Sequence, residues 1–310
     1  MPSPDDALIR HSAFLWLDNL VANQGVLTWD EIEAGFPVPG LDHRVRFATR
    51  AKGIFKPKEM HHILSIKTVM PRPGRKVWYA DQNKSHDAIF GGSDAVSYSF
   101  RGSNPDAPDN LLLKHAADHN LPLVYLVAVA PAVYCPFYPV FVTEWNATKL
   151  EAKIVFSLPE MSKGQFPINE IERRYALRLT KQRLHQAKFR LAVIDAYGGR
   201  CAITRMPAKQ LLDASHIMPD SDEELGHPIV RNGLPLSKIH HAAYDANLIG
   251  IDADGVVHVS ERLLSIHDGP FLEYGIKAMQ DTKILLPDLE NDRPDRERLA
   301  RRFELFVASA

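Results

Sequence analysis

From Leu212 to Asp245 the chain carries His216, Asn232 and His241 in that order, within the segments LDASHI, RNGLPL and SKIHHAAYD. LDASHI reads as a short strand, NGL as a turn, and the residues from about Ser237 as a helix. One compact unit, about the length of a β-hairpin followed by a helix, therefore holds all three polar side chains.

At 310 residues the chain exceeds one such unit, and the usual span of about 100–200 residues per domain predicts a second domain before it. Hydrophobic residues make 45% of the sequence and charged residues 24%, a balance suited to a buried core. No apolar run approaches the ~20 residues that cross a bilayer. The start, MPSPDDALIR, is acidic, and Asp18 and Asn19 interrupt the apolar AFLWL where a signal peptide would continue. A cytoplasmic location without a membrane partner is expected. Cysteine occurs only at Cys135 and Cys201, which gives neither a disulfide framework nor paired zinc knuckles, so no structural zinc is expected. Net charge is −1, yet Ser162 to Gln210 holds eleven Lys and Arg against three Asp and Glu. That surplus is either a footprint for phosphates or a solvated helix face.

The spacing of Leu8, Phe14, Leu15, Leu17, Leu20 and Val21 predicts an amphipathic helix over residues 7–22, closed by Gly25. With the loop after it, this makes a helical segment over 1–44, either a cap on the next domain or a small subdomain resembling a winged helix. Residues 45–160 change to short β-rich runs, ILSIKTV, KVWYA, AVSYSF, LPLVYLVAVA and YPVFVTEW, with one helix capped near Asp109-Asn110. Pro122 to Ala130 reads as a strand buried on both faces, in a mixed, barrel-like domain. Pro159 to Pro167 reads as a linker, followed by helices at Ile168–Leu184 and Gln186–Tyr197 and a last helix at Asp295–Phe306, all in a second domain over 168–310. The fold class is α+β.

FRLAVIDAYGGRCAIT, LDASHI, NGLPLS and HHAAYD, spanning Phe189 to Leu264, resemble the HNH endonuclease superfamily. The resemblance implies a ββα fold closed around a divalent metal, with Mg²⁺ or Mn²⁺ the fitting ions. It implies His216 as general base and His241 as metal ligand. Where the commonest motif has His or Asp this chain has Ser215, a poor ligand for a hard cation, so the second ligand is assigned to Asp213. Strand alternation separates Asp213 from His216, which predicts a bend near Ala214. Asn232 is expected to hydrogen-bond backbone and orient His216. Asp245, four residues after His241, is either a carboxylate that orients the ligand or a surface acid. His240 and His227 are expected to be accessory.

GIFKP, SYSFRGSNPDAPDN and PLVYLVAVAPAVYCPFYPVFV resemble the SRA-like, PUA-related domains that precede HNH units in modification-dependent restriction endonucleases. The resemblance implies a pocket for an extruded modified cytosine, 5-methylcytosine foremost, in double-stranded DNA. Its candidates here are Trp78, Tyr79, Asp81 and Tyr98; half-buried barrel packing is an equal reading of Trp78 and Tyr79. Lys52, Lys56, Lys58 and Arg101, with His61 and His62, are candidates for phosphate contacts. Pairing as a homodimer would let each site break one strand. The other readings are a DNA endonuclease indifferent to modification and a DNA-binding regulator with a degenerate HNH fold; intact Asp213, His216 and His241 weigh against the regulator.

Overall fold

The structure is a computed structural model that describes residues 5–68, 94–157, 170–267 and 269–309. Its backbone divides into two compact units, Met1–Ala187 and Lys188–Ala310.

In the first unit, helix α1 (Asp6–Gln24) starts where Asp5 accepts a hydrogen bond from the Leu8 amide at 2.8 Å and stops at Gly25, whose φ of 69° lets the chain turn left-handed. Its buried stripe is Ile9, Ala13, Phe14 and Leu17, while Leu8 and Leu15 face out. The expected apolar face was thus partly misphased, because leucines occur on both sides of the helix and spacing alone cannot rank them. Strand β1 (Leu27–Thr28) leads into helix α2 (Trp29–Ala34), which opens with a capping box between Thr28 and Glu31.

Strands β2 (Ile54–Phe55), β3 (Ser65–Lys67) and β4 (Val96–Ser99) precede helix α3 (Pro108–Asp118). Strands β5 (Leu123–Ala130), β6 (Val133–Asn146) and β7 (Glu151–Phe156) follow it. The sheet runs β2-β3-β5-β6-β7-β4, with β1 also paired to β6. Among the described strands only the β3–β5 pair is parallel. Among the described strands the path ends at β2 and β4, and the expected barrel-like domain is a mixed sheet curled into a half-barrel. Val124, Leu126 and Ala128 of β5 share one core with Ile9, Phe14 and Leu17 of α1 and with Trp29 and Ile32 of α2. Helices α1 and α2 and the sheet therefore bury apolar surface together. Helix α3 begins at Pro108 without a side-chain cap; Asp109 and Asn110, expected to cap it, lie within its first turn and bond to neighbouring segments instead.

Helix α4 (Glu170–Ala196) is one continuous helix where two were expected. No Gly or Pro separates Leu184 from Gln186, and His185 is no breaker. The division between units falls within α4. In the second unit, its end leads through Gly198-Gly199 to the hairpin of β8 (Leu212–His216) and β9 (Gly233–Ser237). Helix α5 (Lys238–Asp245), the hairpin of β10 (Ile249–Ile251) and β11 (Val257–Val259), the short helix α6 (Glu261–Leu264) and helix α7 (Arg296–Ser309) complete it. Ile194, Tyr197, Leu212, Leu234, Leu236, Tyr244 and Ile249 form its core. No helix among the described residues is long and apolar enough to cross a membrane.

Candidate active site

Strands β8 and β9 pair antiparallel from Leu212↔Ser237 to His216↔Gly233 without a register shift. Strict alternation is lost all the same: Leu212 and Ser215 are buried, whereas Asp213, Ala214 and His216 are half-buried. Asp213 and His216 therefore both reach partly open ground, on a strand whose pairing with β9 is continuous through Ala214. Serine fits position 215 as a fully buried residue whose hydroxyl lies 3.4 Å from the His216 carbonyl.

Across from β8, helix α5 is capped by Ser237, whose hydroxyl accepts from the His240 amide. This start aims His241 at the strand. Its Nδ1 is 3.8 Å from Asp213 Oδ2 and its Nε2 is 3.2 Å from Asp245 Oδ2. The second carboxylate is one helical turn along, as its i,i+4 spacing dictates. On the far side of Asp213, Arg190 Nε stands 3.8 Å from Oδ1.

His216 ends β8. Its ring lies flat on Phe189, with centroids 4.1 Å apart and planes at 11°, and its Nε2 is 2.9 Å from Asp220 Oδ1. That separation lacks hydrogen-bond geometry, and the Nε2 atom is buried. Burial lowers the His216 pKa below the ordinary histidine value; the Asp220 charge opposes the shift, His241 adds to it and Asp245 also opposes it. The four groups therefore share one electrostatic neighbourhood.

Asn232 is fully buried. Its Oδ1 accepts from the Met218 amide at 2.9 Å, and its Nδ2 donates to the carbonyls of Met218 at 3.0 Å and His227 at 3.1 Å. The side chain thus ties both ends of the long β8–β9 connection together, just after His216. His240 is buried, with Nδ1 2.6 Å from Ser237 Oγ and Nε2 2.9 Å from the Gly275 carbonyl. Both ring nitrogens are engaged in structure, and His227 is an exposed loop residue.

Of the residues singled out in the first unit, the described ones include Lys52 and Arg101, which meet on one carboxylate. Tyr98 is 4% exposed, donates to the Lys67 carbonyl at 3.2 Å and packs edge-on against Tyr125. Lys52 and Arg101 both pair with Asp109, at 3.1 and 2.6 Å. Lys56 donates to the Met60 carbonyl at 2.8 Å, and Lys58 is 82% exposed beside Glu59. His61 and His62 donate their backbone amides to Asp6. Trp78, Tyr79 and Asp81 lie outside the described residues.

Three residues at the site escaped the sequence reading. Asp220 lies in a loop, where no periodicity marks it. Phe189 and Arg190 counted only as the start of a motif and as part of a basic run. Two of that run's cations serve the fold: Arg190 donates to the Leu212 carbonyl, and Arg183 to that of Pro136.

Among the described residues no group of three or more His, Cys, Asp and Glu side chains is assembled for a metal. The pair Asp213 and His241 nevertheless fits a divalent cation: two bonds of about 2.1 Å can bridge a 3.8 Å gap. Mg²⁺ commonly takes one or two protein ligands and leaves the rest to water and phosphate. A carboxylate on the outer nitrogen of a ligating imidazole, as Asp245 sits here, is the usual support.

Residues 201–252 match the HNH endonuclease family, so the second unit contains an HNH endonuclease domain. Among solved structures, a modification-dependent TagI restriction endonuclease is similar at 12% identity and a TM-score of 0.30, over 78% of this chain and 80% of that one. No curated protein matches the chain.

Proposed function

We propose that this protein is a metal-dependent HNH endonuclease that hydrolyses double-stranded DNA, with residues 168–310 as the cutting domain and residues 45–160 as an SRA-like reader of modified cytosine. The observation that carries the nuclease reading is the 3.8 Å approach of Asp213 Oδ2 to His241 Nδ1, with Asp245 behind the imidazole and His216 at the end of the same strand as Asp213. It joins the family match over residues 201–252.

Asp213 and His241 would hold Mg²⁺ or Mn²⁺, which when bound supplies a Lewis acid for the scissile phosphate. His216 takes the proton of the attacking water. With Nε2 buried against Asp220, Nδ1 is the nitrogen that receives it, and the Asp220 carboxylate stabilises the imidazolium that results. Burial favours the neutral form of His216, the form that can accept a proton. Asn232 holds the connection that follows His216, so the base is positioned by backbone rather than by its own exposed loop.

The preference for 5-methylcytosine rests on the resemblance of GIFKP and SYSFRGSNPDAPDN to SRA-like segments. The burial of Tyr98 in the sheet favours a second reading, an HNH endonuclease indifferent to modification. Plasmids bearing 5-methylcytosine, 5-hydroxymethylcytosine or no modification, digested by the full chain with Mg²⁺ or Mn²⁺, separate the two. Cutting confined to modified plasmid supports the first, and equal cutting of all three establishes the second. No cutting of any plasmid with either ion refutes the nuclease.

A further inference from the structure

Two consecutive residues of α4 grip opposite ends of β8. Phe189 lies on the His216 imidazole with centroids 4.1 Å apart. Arg190 Nη2 donates to the Leu212 carbonyl at 2.7 Å and to that of Lys209 at 3.3 Å, and its Nε faces Asp213 Oδ1 at 3.8 Å. The helix that carries them is anchored by its buried Val193 and Ile194, and Tyr197 just past its end is buried too.

Neither residue has freedom to do otherwise. A Cβ at Gly233 would meet Phe189 Cζ at 2.8 Å and Val193 Cγ2 at 2.4 Å, so strand β9 passes hard against one edge of the phenyl ring that lies on the imidazole. Arg190 is 18% exposed in its side chain. Its carbonyl bonds fix the guanidinium as a planar fork, which a lysine cannot reproduce. The fork claims Oδ1 of Asp213 electrostatically and leaves Oδ2 toward His241.

Resting on the nuclease reading above, we propose that Phe189 and Arg190 are positioning residues for the cleavage: Phe189 sets the plane of the His216 imidazole, and Arg190 sets the Asp213 carboxylate with Oδ2 toward the cation. Neither touches DNA or metal. Their effects separate, because one acts through the base and the other through a ligand.

The test uses the full chain and the variants Phe189→Leu and Arg190→Lys, with Mn²⁺ affinity read by calorimetry and kcat read on a cleaved plasmid. Phe189→Leu should lower kcat about 10- to 100-fold with Mn²⁺ affinity within about twofold of wild type. Arg190→Lys should weaken Mn²⁺ binding by about tenfold or more. Folded variants that keep both kcat and Mn²⁺ affinity overturn the proposal. Should Phe189→Leu fail to fold, the wild type decides: a stacked phenyl shifts the carbon-bound ring protons of His216 upfield, assigned by comparison with His216→Gln. Unshifted protons overturn the role of Phe189. Should Arg190→Lys fail to fold, Arg190→Met keeps the aliphatic stem and must show the same loss of Mn²⁺ affinity. If the wild type cuts no DNA the nuclease reading fails by itself, while the ring shift and the Mn²⁺ titrations still report on the two residues.

Discussion

Asp213 stands between two cationic or cationisable groups, Arg190 at 3.8 Å from one carboxylate oxygen and His241 at 3.8 Å from the other. A carboxylate shared in this way is oriented before any cation arrives. Asp213→Ala and His241→Ala should therefore each weaken Mn²⁺ binding in calorimetry, and a chelator should stop cleavage by the wild type. Full activity in excess EDTA would rule out the metal-dependent mechanism.

His216 acts on water and not on DNA position in this scheme. His216→Ala should lower cleavage by about 10²–10⁴-fold, the usual worth of a general base, with DNA affinity in a binding titration nearly unchanged. Retained cutting would sink the assignment of the base.

Gly233 is hemmed in by Phe189 and Val193. Gly233→Ala should destabilise the second unit by about 1–3 kcal/mol, the range for overpacking, measured by urea unfolding. The same change should push Phe189 off His216, so kcat should fall under conditions where the variant is folded. A variant of wild-type stability would show that the strand has room.

Asn232 satisfies the Met218 amide and two carbonyls from a fully buried position. Asn232→Ala leaves those groups unpaired, at about 1–3 kcal/mol for a buried polar group. Asn232→Asp keeps the acceptor but aims a carboxylate at two carbonyls, so it should be no more stable than the alanine variant. Unfolding curves for the two variants check the order.

In the first unit, His115 stacks between His62 and His119, with centroids 4.5 and 3.9 Å away. Asp6 holds His62 at 2.7 Å, His61 is beside it, and Asp118 neighbours His119. Desolvation and then the charges of His119 and His62 lower the His115 pKa, with Asp118 opposing. A histidine lowered on folding leaves stability unaffected above its unfolded pKa of about 6.5 and removes stability as pH falls below it, since the unfolded chain then binds more protons. Relative to His115→Gln, the wild type should therefore lose melting temperature between pH 7.5 and pH 5.5. A difference that stays constant across that range would remove His115 from the titration.

The local elements were legible because their causes are local. Gly25 ends α1 through its positive φ, and the apolar run of Leu123–Ala130 becomes a central strand. Asp245 falls beside His241 because four residues are one helical turn. Expectations erred where several segments compete for one surface. Leucines on two faces of α1 left its buried stripe unranked. Tyr98, a candidate for the base pocket, is buried in the sheet, an exposure that packing and not its own segment sets.

By itself the sequence determined which residue types are present for the chemistry, two strands and a helix to carry them, and the helical spacing that joins His241 to Asp245. The tertiary structure decided what surrounds them. Phe189 reaches His216, and Arg190 reaches Asp213, because Leu212 and Leu234 of the hairpin share a core with Ile194 of α4 and with Tyr197 just after it. That packing is set by burial of apolar area, which fixes the distance and rotation between elements far apart in the chain. Periodicity within a segment carries no record of either.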